Sequence, residues 1–111
     1  MGQSIYGKAT YDLSELQDLV GNPATRHITH TSEVNASSVG IVGKEEIVKR
    51  ILQLKTNEIY KTMESDMVPG AWQDVYLSPE GVIILYIKLQ KSMDGKKCVV
   101  IQLKRSTSLT I

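Results

Sequence analysis

Val82-Ile83-Ile84-Leu85-Tyr86-Ile87-Lys88-Leu89-Gln90 is the stretch on which the fold turns. Read at a period of two, Ile83, Leu85, Ile87 and Leu89 form a wholly apolar set. Val82, Ile84, Tyr86, Lys88 and Gln90 form the mixed set that faces the other way. A strand patterned like this buries one face and leaves the other to solvent, which is the habit of antiparallel sheets covered on a single side. Strand signals also lie on both sides of it, at 72–77 and 97–105. Ser78-Pro79-Glu80-Gly81 predicts a turn with proline pre-set for its second position, and Asp94-Gly95 lies near the tip of the next hairpin. In the last strand Val99, Ile101 and Leu103 are the expected core set, opposed by Cys98, Val100, Gln102 and Lys104.

Upstream the period lengthens to that of helices. Asp12 is placed to cap a helix with Glu15 at capping-box spacing, and Leu13, Leu16, Leu19 and Val20 make one apolar stripe. Gly21-Asn22-Pro23 ends it. A brief strand or extended link is expected at 26–29 and a short helix at 32–39, closed by Gly40. A stronger helix is expected at 43–55, with acids early and bases late as the helix dipole favours. Thr56 reads as the cap of one or two further helical turns over 57–63. Helices first and an antiparallel meander afterwards define an α+β domain, its helices on one face of the sheet.

Register decides which residues share the open face. Matching core set to core set fixes its parity, because a one-residue slip would invert a face. That demands an odd loop around Gly95 and sets Tyr86 opposite Lys104. A four-residue loop at 78–81 would pair Leu77 with Val82, and hence Gln73 with Tyr86. Gln73, Tyr86 and Lys104 then form one row across three strands, with Lys88 beside it. Such residues can stack on a base, hydrogen-bond ribose and neutralise phosphate, although a solvated sheet face needs no function at all.

Composition narrows the classes. With 111 residues, 41% hydrophobic and 23% charged, the chain can bury one core and reads as a single domain, with short flexible ends expected at 1–10 and 106–111. No apolar run reaches the roughly 18 residues of a membrane span, and neither a signal-peptide layout nor a complete lipidation motif is present. One cysteine, Cys98, excludes an intramolecular disulfide and suits a reducing cytoplasm. Cys98 with His27 and His30 cannot make a structural zinc site, and no nucleophile triad or dinucleotide fingerprint is found. The net charge of +1 conceals an uneven distribution: 88–105 holds six basic residues against Asp94 alone.

Two linked motifs carry a resemblance. Ile59-Tyr60-Lys61-Thr62-Met63, an eight-residue gap, and Trp72-Gln73-Asp74-Val75-Tyr76 resemble the motility quorum-sensing regulator (MqsR) toxins, within the RelE-like messenger-RNA interferases. Asn35-Ala36-Ser37-Ser38-Val39-Gly40-Ile41 is a weaker echo. The resemblance implies a small RelE-like α+β domain with a curved antiparallel sheet. It also implies a toxin of a type II toxin-antitoxin system, an endoribonuclease cutting messenger RNA at short GC-containing sites without metal, ribosome or cofactor. Its functional positions fall on Lys61, Gln73, Tyr86 and Lys104. Lys88, Arg105 and Met63 are the expected RNA contacts, Met63 being by residue type a gap-filler. The hairpin between Tyr86 and Lys104 is longer than the family pattern. The implied partners are messenger RNA and a cognate MqsA-like antitoxin, with a zinc domain joined to a helix-turn-helix domain; no membrane is implied.

In the implied mechanism Lys61 and Lys104 hold the scissile phosphate. Tyr86 transfers the proton, provided neighbouring ammonium groups lower its pKa, and Gln73 orients phosphate or ribose. The alternative is a non-catalytic RNA- or protein-binding module using the same sheet face.

Overall fold

A computed structural model describes residues 2–107. Six strands form one sheet in the order β1-β3-β4-β5-β6-β2: β1 (Ser4–Tyr6), β2 (Arg26–Ile28), β3 (Ile59–Glu64), β4 (Trp72–Glu80), β5 (Ile83–Lys91) and β6 (Cys98–Arg105). All pairs are antiparallel except β2 with β6. Three helices, α1 (Leu13–Val20), α2 (His30–Ser37) and α3 (Lys44–Leu52), complete an α+β domain. Among the described residues no helix is long and apolar enough to cross a membrane.

The helices form where the apolar stripes and caps lie. Asp12 accepts from the Ser14 N–H and opens α1, whose Leu13, Leu16 and Val20 are buried. Thr29 caps α2 through the Ser32 N–H. Helix α3 buries Ile47, Val48 and Ile51, and its last carbonyls are met from outside: Gln17 Nε2 donates to Ile51 O at 3.1 Å and to Leu52 O at 3.3 Å. This satisfies acceptors that the end of a helix would otherwise leave open. The helical side chains pack on Leu85, Ile87 and Leu89 of β5 and on Cys98, Val100 and Leu103 of β6, all fully buried. Among the described residues no helix is packed against the opposite face of the sheet.

Four expectations about the elements change. Residues 57–63 are not helical: one 3-10 turn (Thr56–Glu58) leads into β3. Pairing on both edges, to β1 and β4, outweighs the local cap signal there. The turn at 78–81 is displaced, because β4 continues through Pro79 to pair Glu80 with Ile83. Gly81, at φ 59°, and the exposed Val82 form a two-residue tip, with glycine in the first turn position where positive φ is required. Pro79 is tolerated because β3 leaves β4 at Tyr76, so its missing N–H breaks no ladder bond on that side. Arg50 holds the extension straight, donating to Ser78 Oγ at 2.6 Å, Pro79 O at 3.0 Å and Glu80 Oε1 at 2.7 Å.

The loop around Gly95 is even, not odd, since Lys91 pairs with Cys98 across residues 92–97. A bulge restores the parity: Lys88 pairs with Gln102 but Leu89 with Val100, leaving Ile101 as the extra residue. Thr29 Oγ1 donates to the Ile101 carbonyl at 3.2 Å. Cys98 and Val100 therefore enter the core in place of Val99 and Ile101. Finally, Ser4–Tyr6, inside the segment expected to be a loose end, is a strand on the sheet edge. Of the other expected loose end, 108–111 lies outside the described residues.

Candidate functional site

Tyr86 stands near the middle of the open face. Its ladder partner on β6 is Lys104, as the strand pattern predicts, and Lys104 Nζ lies 5.2 Å from the ring centroid. Lys88 Nζ approaches the same ring at 5.7 Å. These are cation–π distances. The next row across the sheet is Lys61, Val75, Lys88 and Gln102. Lys61 thus reaches the site from β3, with the short side chain of Val75 between it and Lys88.

A β-bulge between Ile59 and Lys61 makes this possible. Ile59 packs against the core, and strict alternation would send Lys61 the same way. The extra residue, Tyr60, flips the sense, and Tyr60 and Lys61 both reach the open side. Lys88 and Lys104 therefore flank the Tyr86 ring, and Lys61, whose Nζ lies against Tyr6 and Tyr60, comes near enough to Lys88 to act on its charge. Of the other basic residues in the C-terminal third, Lys91 is paired with Glu15 across the fold.

The electrostatics differ from the expectation for Tyr86. Its pKa is raised above 10.0, first by burial and then by the nearby Tyr60, whereas the proton-transfer role expected from the sequence requires a lowered value. The ammonium groups lie against the ring. Lys88 is the perturbed cation: burial lowers its pKa below 10.5, Lys61 and Lys104 lower it further, and Asp66 acts in the opposite sense.

Gln73 is not in the Tyr86 row. Leu77 sits opposite Tyr86, and Gln73, four residues along β4, donates from Nε2 to Gln90 Oε1 at 2.9 Å. The two-residue hairpin tip causes this displacement; parity is unchanged, so Gln73 keeps the open face but lies about 13 Å along the strand from Leu77. Met63 pairs with Gln73 and shares that outlying row. Arg105 pairs with the core residue Leu85, so alternation sends it to the opposite face from Lys104, away from the site.

The remaining polar residue of the second motif is structural. Asp74 is fully buried, and its carboxylate accepts from Thr10 N at 2.9 and 3.1 Å and from Tyr11 N at 2.9 Å. Thr10 and Thr62 hydroxyls meet at 2.6 Å, and Tyr11 Oη donates to the Trp72 carbonyl at 2.7 Å. Together these fasten the segment between β1 and α1 to β3 and β4. Cys98 is fully buried, which pushes its thiol up to about 12 and leaves it unreactive. Among the described residues no three His, Cys, Asp or Glu side chains come together as a metal site.

Two site residues escaped the sequence reading. Tyr6 and Tyr60 flank Lys61, with ring centroids 5.3 Å apart and planes at 72°. Tyr60 was hidden by the helical reading of 57–63, although its place beside Lys61 in the first motif was a usable signal. Tyr6 lies in the segment read as a loose end.

Comparison with known proteins agrees with this architecture. A search of curated proteins finds no match. A family model described as the motility quorum-sensing regulator, toxin of MqsA, matches residues 8–105, which is most of the chain and includes both motifs. Members of this family are toxins of toxin-antitoxin pairs, and this chain belongs to the MqsR toxin family.

Proposed function

We propose that the chain is an endoribonuclease that cuts messenger RNA in the cytoplasm at short GC-containing sites, independently of metal and ribosome. Its cognate antitoxin would be of the MqsA kind, a zinc domain joined to a helix-turn-helix domain. The observation that carries the reading is Lys88 and Lys104 set against the Tyr86 ring, with Lys61 near enough to act on Lys88, all on one face of the sheet. Three cations on an open surface suit an extended polyanion, and a trigonal-bipyramidal phosphorane gathers charge where ammonium groups can stabilise it.

The roles follow from the electrostatics. Lys61 and Lys104 hold the non-bridging phosphate oxygens. Lys88, whose pKa is held below 10.5 by burial and by the charges of Lys61 and Lys104, takes the proton of the ribose 2′-hydroxyl when it is in its neutral form. The 2′-oxygen then bonds to phosphorus, the bond to the 5′-oxygen breaks, and the departing oxygen takes a proton. Tyr86, kept protonated by its raised pKa, is the donor for that step. The products are a 2′,3′-cyclic phosphate and a 5′-hydroxyl. Gln73, off the central row, orients a flanking nucleotide.

The test uses purified protein and a GC-containing RNA oligonucleotide in EDTA. Cleavage with cyclic-phosphate ends is expected, and Lys88→Gln should lower kcat by about 100-fold. RNA that is retarded on a gel but stays intact would overturn catalysis and leave a non-catalytic binding module.

A further inference from the structure

We propose that Tyr6 and Tyr60 form a stacking subsite for one unpaired nucleobase of single-stranded RNA, flanking the scissile phosphate. The inference rests on the ribonuclease reading above and adds a subsite to it.

Tyr6 is the last residue of β1 and pairs with Lys61, which places it in the row that ends at Lys88 and Gln102. It stands on the same open face, three strand spacings or about 14 Å from β5. A base held there therefore belongs to a flanking nucleotide and not to the reacting one. Tyr6 is 61% exposed and Tyr60 37%, large apolar rings that the fold itself does not bury. Their edge-to-face contact leaves part of each ring exposed. Lys61 Nζ lies 5.5 Å from one ring centroid and 5.6 Å from the other, on the order of the span from base to phosphate within a single nucleotide. One nucleotide could thus stack its base on the tyrosines and give its phosphate to Lys61.

Exposure alone would mean little, but this corner is rigidly held. Gly7 turns the chain off the edge at φ 76°, and its N–H donates to the Tyr60 carbonyl at 2.8 Å, tying the two tyrosines' backbones together. Three residues further on, at Thr10, the chain is clamped by Asp74. An exposed aromatic on a fixed backbone binds without the entropic cost of ordering a loop. Aromatic platforms accept any base, since every base has a π face. Tyr6 precedes the family-matched residues 8–105, whereas Tyr60 lies within them.

The plain alternative is a cross-strand pair that merely stabilises the sheet edge. A single-stranded RNA made uncleavable by 2′-O-methylation separates the two, with 2-aminopurine placed at successive positions as a stacking reporter. We expect quenching at one flanking position with the parent protein. Tyr6→Leu should lose that quench and weaken binding by about tenfold, while Tyr6→Phe and Tyr6→Trp keep both. Tyr6→Leu that binds and quenches like the parent would overturn the subsite and leave the nuclease reading intact. Parent protein that does not bind the RNA at all would overturn the nuclease reading, and the subsite with it. Unfolding measured in parallel checks that Tyr6→Leu remains folded.

Discussion

Lys88 illustrates how a single residue can cost stability at the place where the proposed chemistry would use it. Its stem is packed among β-strand neighbours, and its ammonium group shares the open face with those of Lys61 and Lys104. Burial and these two charges disfavour the protonated form, so the folded pKa lies below the unfolded one. For a base whose pKa is lowered by folding, the destabilisation is fully present below the folded pKa. It disappears as pH rises through that value towards about 10.5, the unfolded value. Replacing Lys88 by Met, which keeps the apolar stem and removes the charge, should therefore stabilise the protein at pH 7. A gain of about 0.5 kcal/mol is appropriate for a partly screened charge. Urea unfolding at pH 7 and near pH 10.5 tests this: the advantage of Lys88→Met should shrink at the higher pH. A gain of the same size at both values would remove the charge from the explanation. On the proposed reading the same variant should lose activity to the extent expected for Lys88→Gln, the usual relation between a functional group and the stability it costs.

At the scale of elements, β1 and β3 depend on a residue that belongs to neither. Asp74, on β4, accepts three backbone hydrogen bonds from Thr10 and Tyr11, and this clamp brings the N-terminal segment back across the sheet after β1. Asp74→Ala would leave those N–H groups unpaired in a partly buried place. A loss of about 2–4 kcal/mol is expected on urea unfolding, with a smaller loss for Asp74→Asn, which keeps one acceptor oxygen. Faster hydrogen exchange at Gly7 and Glu64, whose amides bond to Tyr60 and Gln3, should accompany it. An Asp74→Ala protein within about 0.5 kcal/mol of the parent would mean that β1 docks without the clamp. These tertiary ties also mark where the sequence stopped being legible. The apolar set of β5, the caps of α1 and the facing of Tyr86 and Lys104 follow from local periodicity, and the structure has them. The helical reading of 57–63 failed because Ile59 and Thr62 take their conformation from strands distant in sequence. The placement of Gln73 failed because a turn signal at Pro79 is overridden by Arg50, which holds Ser78, Pro79 and Glu80 extended. Two features cannot be read from alternation at all, the bulges at Tyr60 and Ile101, because a bulge is the point at which alternation stops. The first of them delivers Lys61 to the site.

Over the whole molecule the charge is nearly balanced, 13 basic residues against 12 acidic, yet its effect on RNA is decided by placement. Several bases are engaged elsewhere: Arg26 with Glu45, Arg50 with Glu80 and Lys91 with Glu15. Lys88 and Lys104 instead stand on the open face against Tyr86, with Lys61 beside them against Tyr6 and Tyr60. A molecule built in this way should have little long-range attraction for polyanions and a short-range site that neutralises only a few phosphates. For single-stranded nucleic acid the logarithm of the binding constant falls with that of salt by about 0.7 for each phosphate neutralised. Three lysines therefore predict a slope of about −2, or roughly an order of magnitude in affinity between 50 and 200 mM salt. Anisotropy titrations of an uncleavable RNA at several salt concentrations measure it directly. Lys104→Ala should make the slope shallower by about 0.7, whereas Lys96→Ala, in the distal hairpin, should leave it unchanged. A slope near zero would separate the lysines from phosphate, and one much steeper than −2 would require contacts beyond the sheet face. The intermediate value is the signature of a nearly neutral protein that concentrates its positive charge at one place.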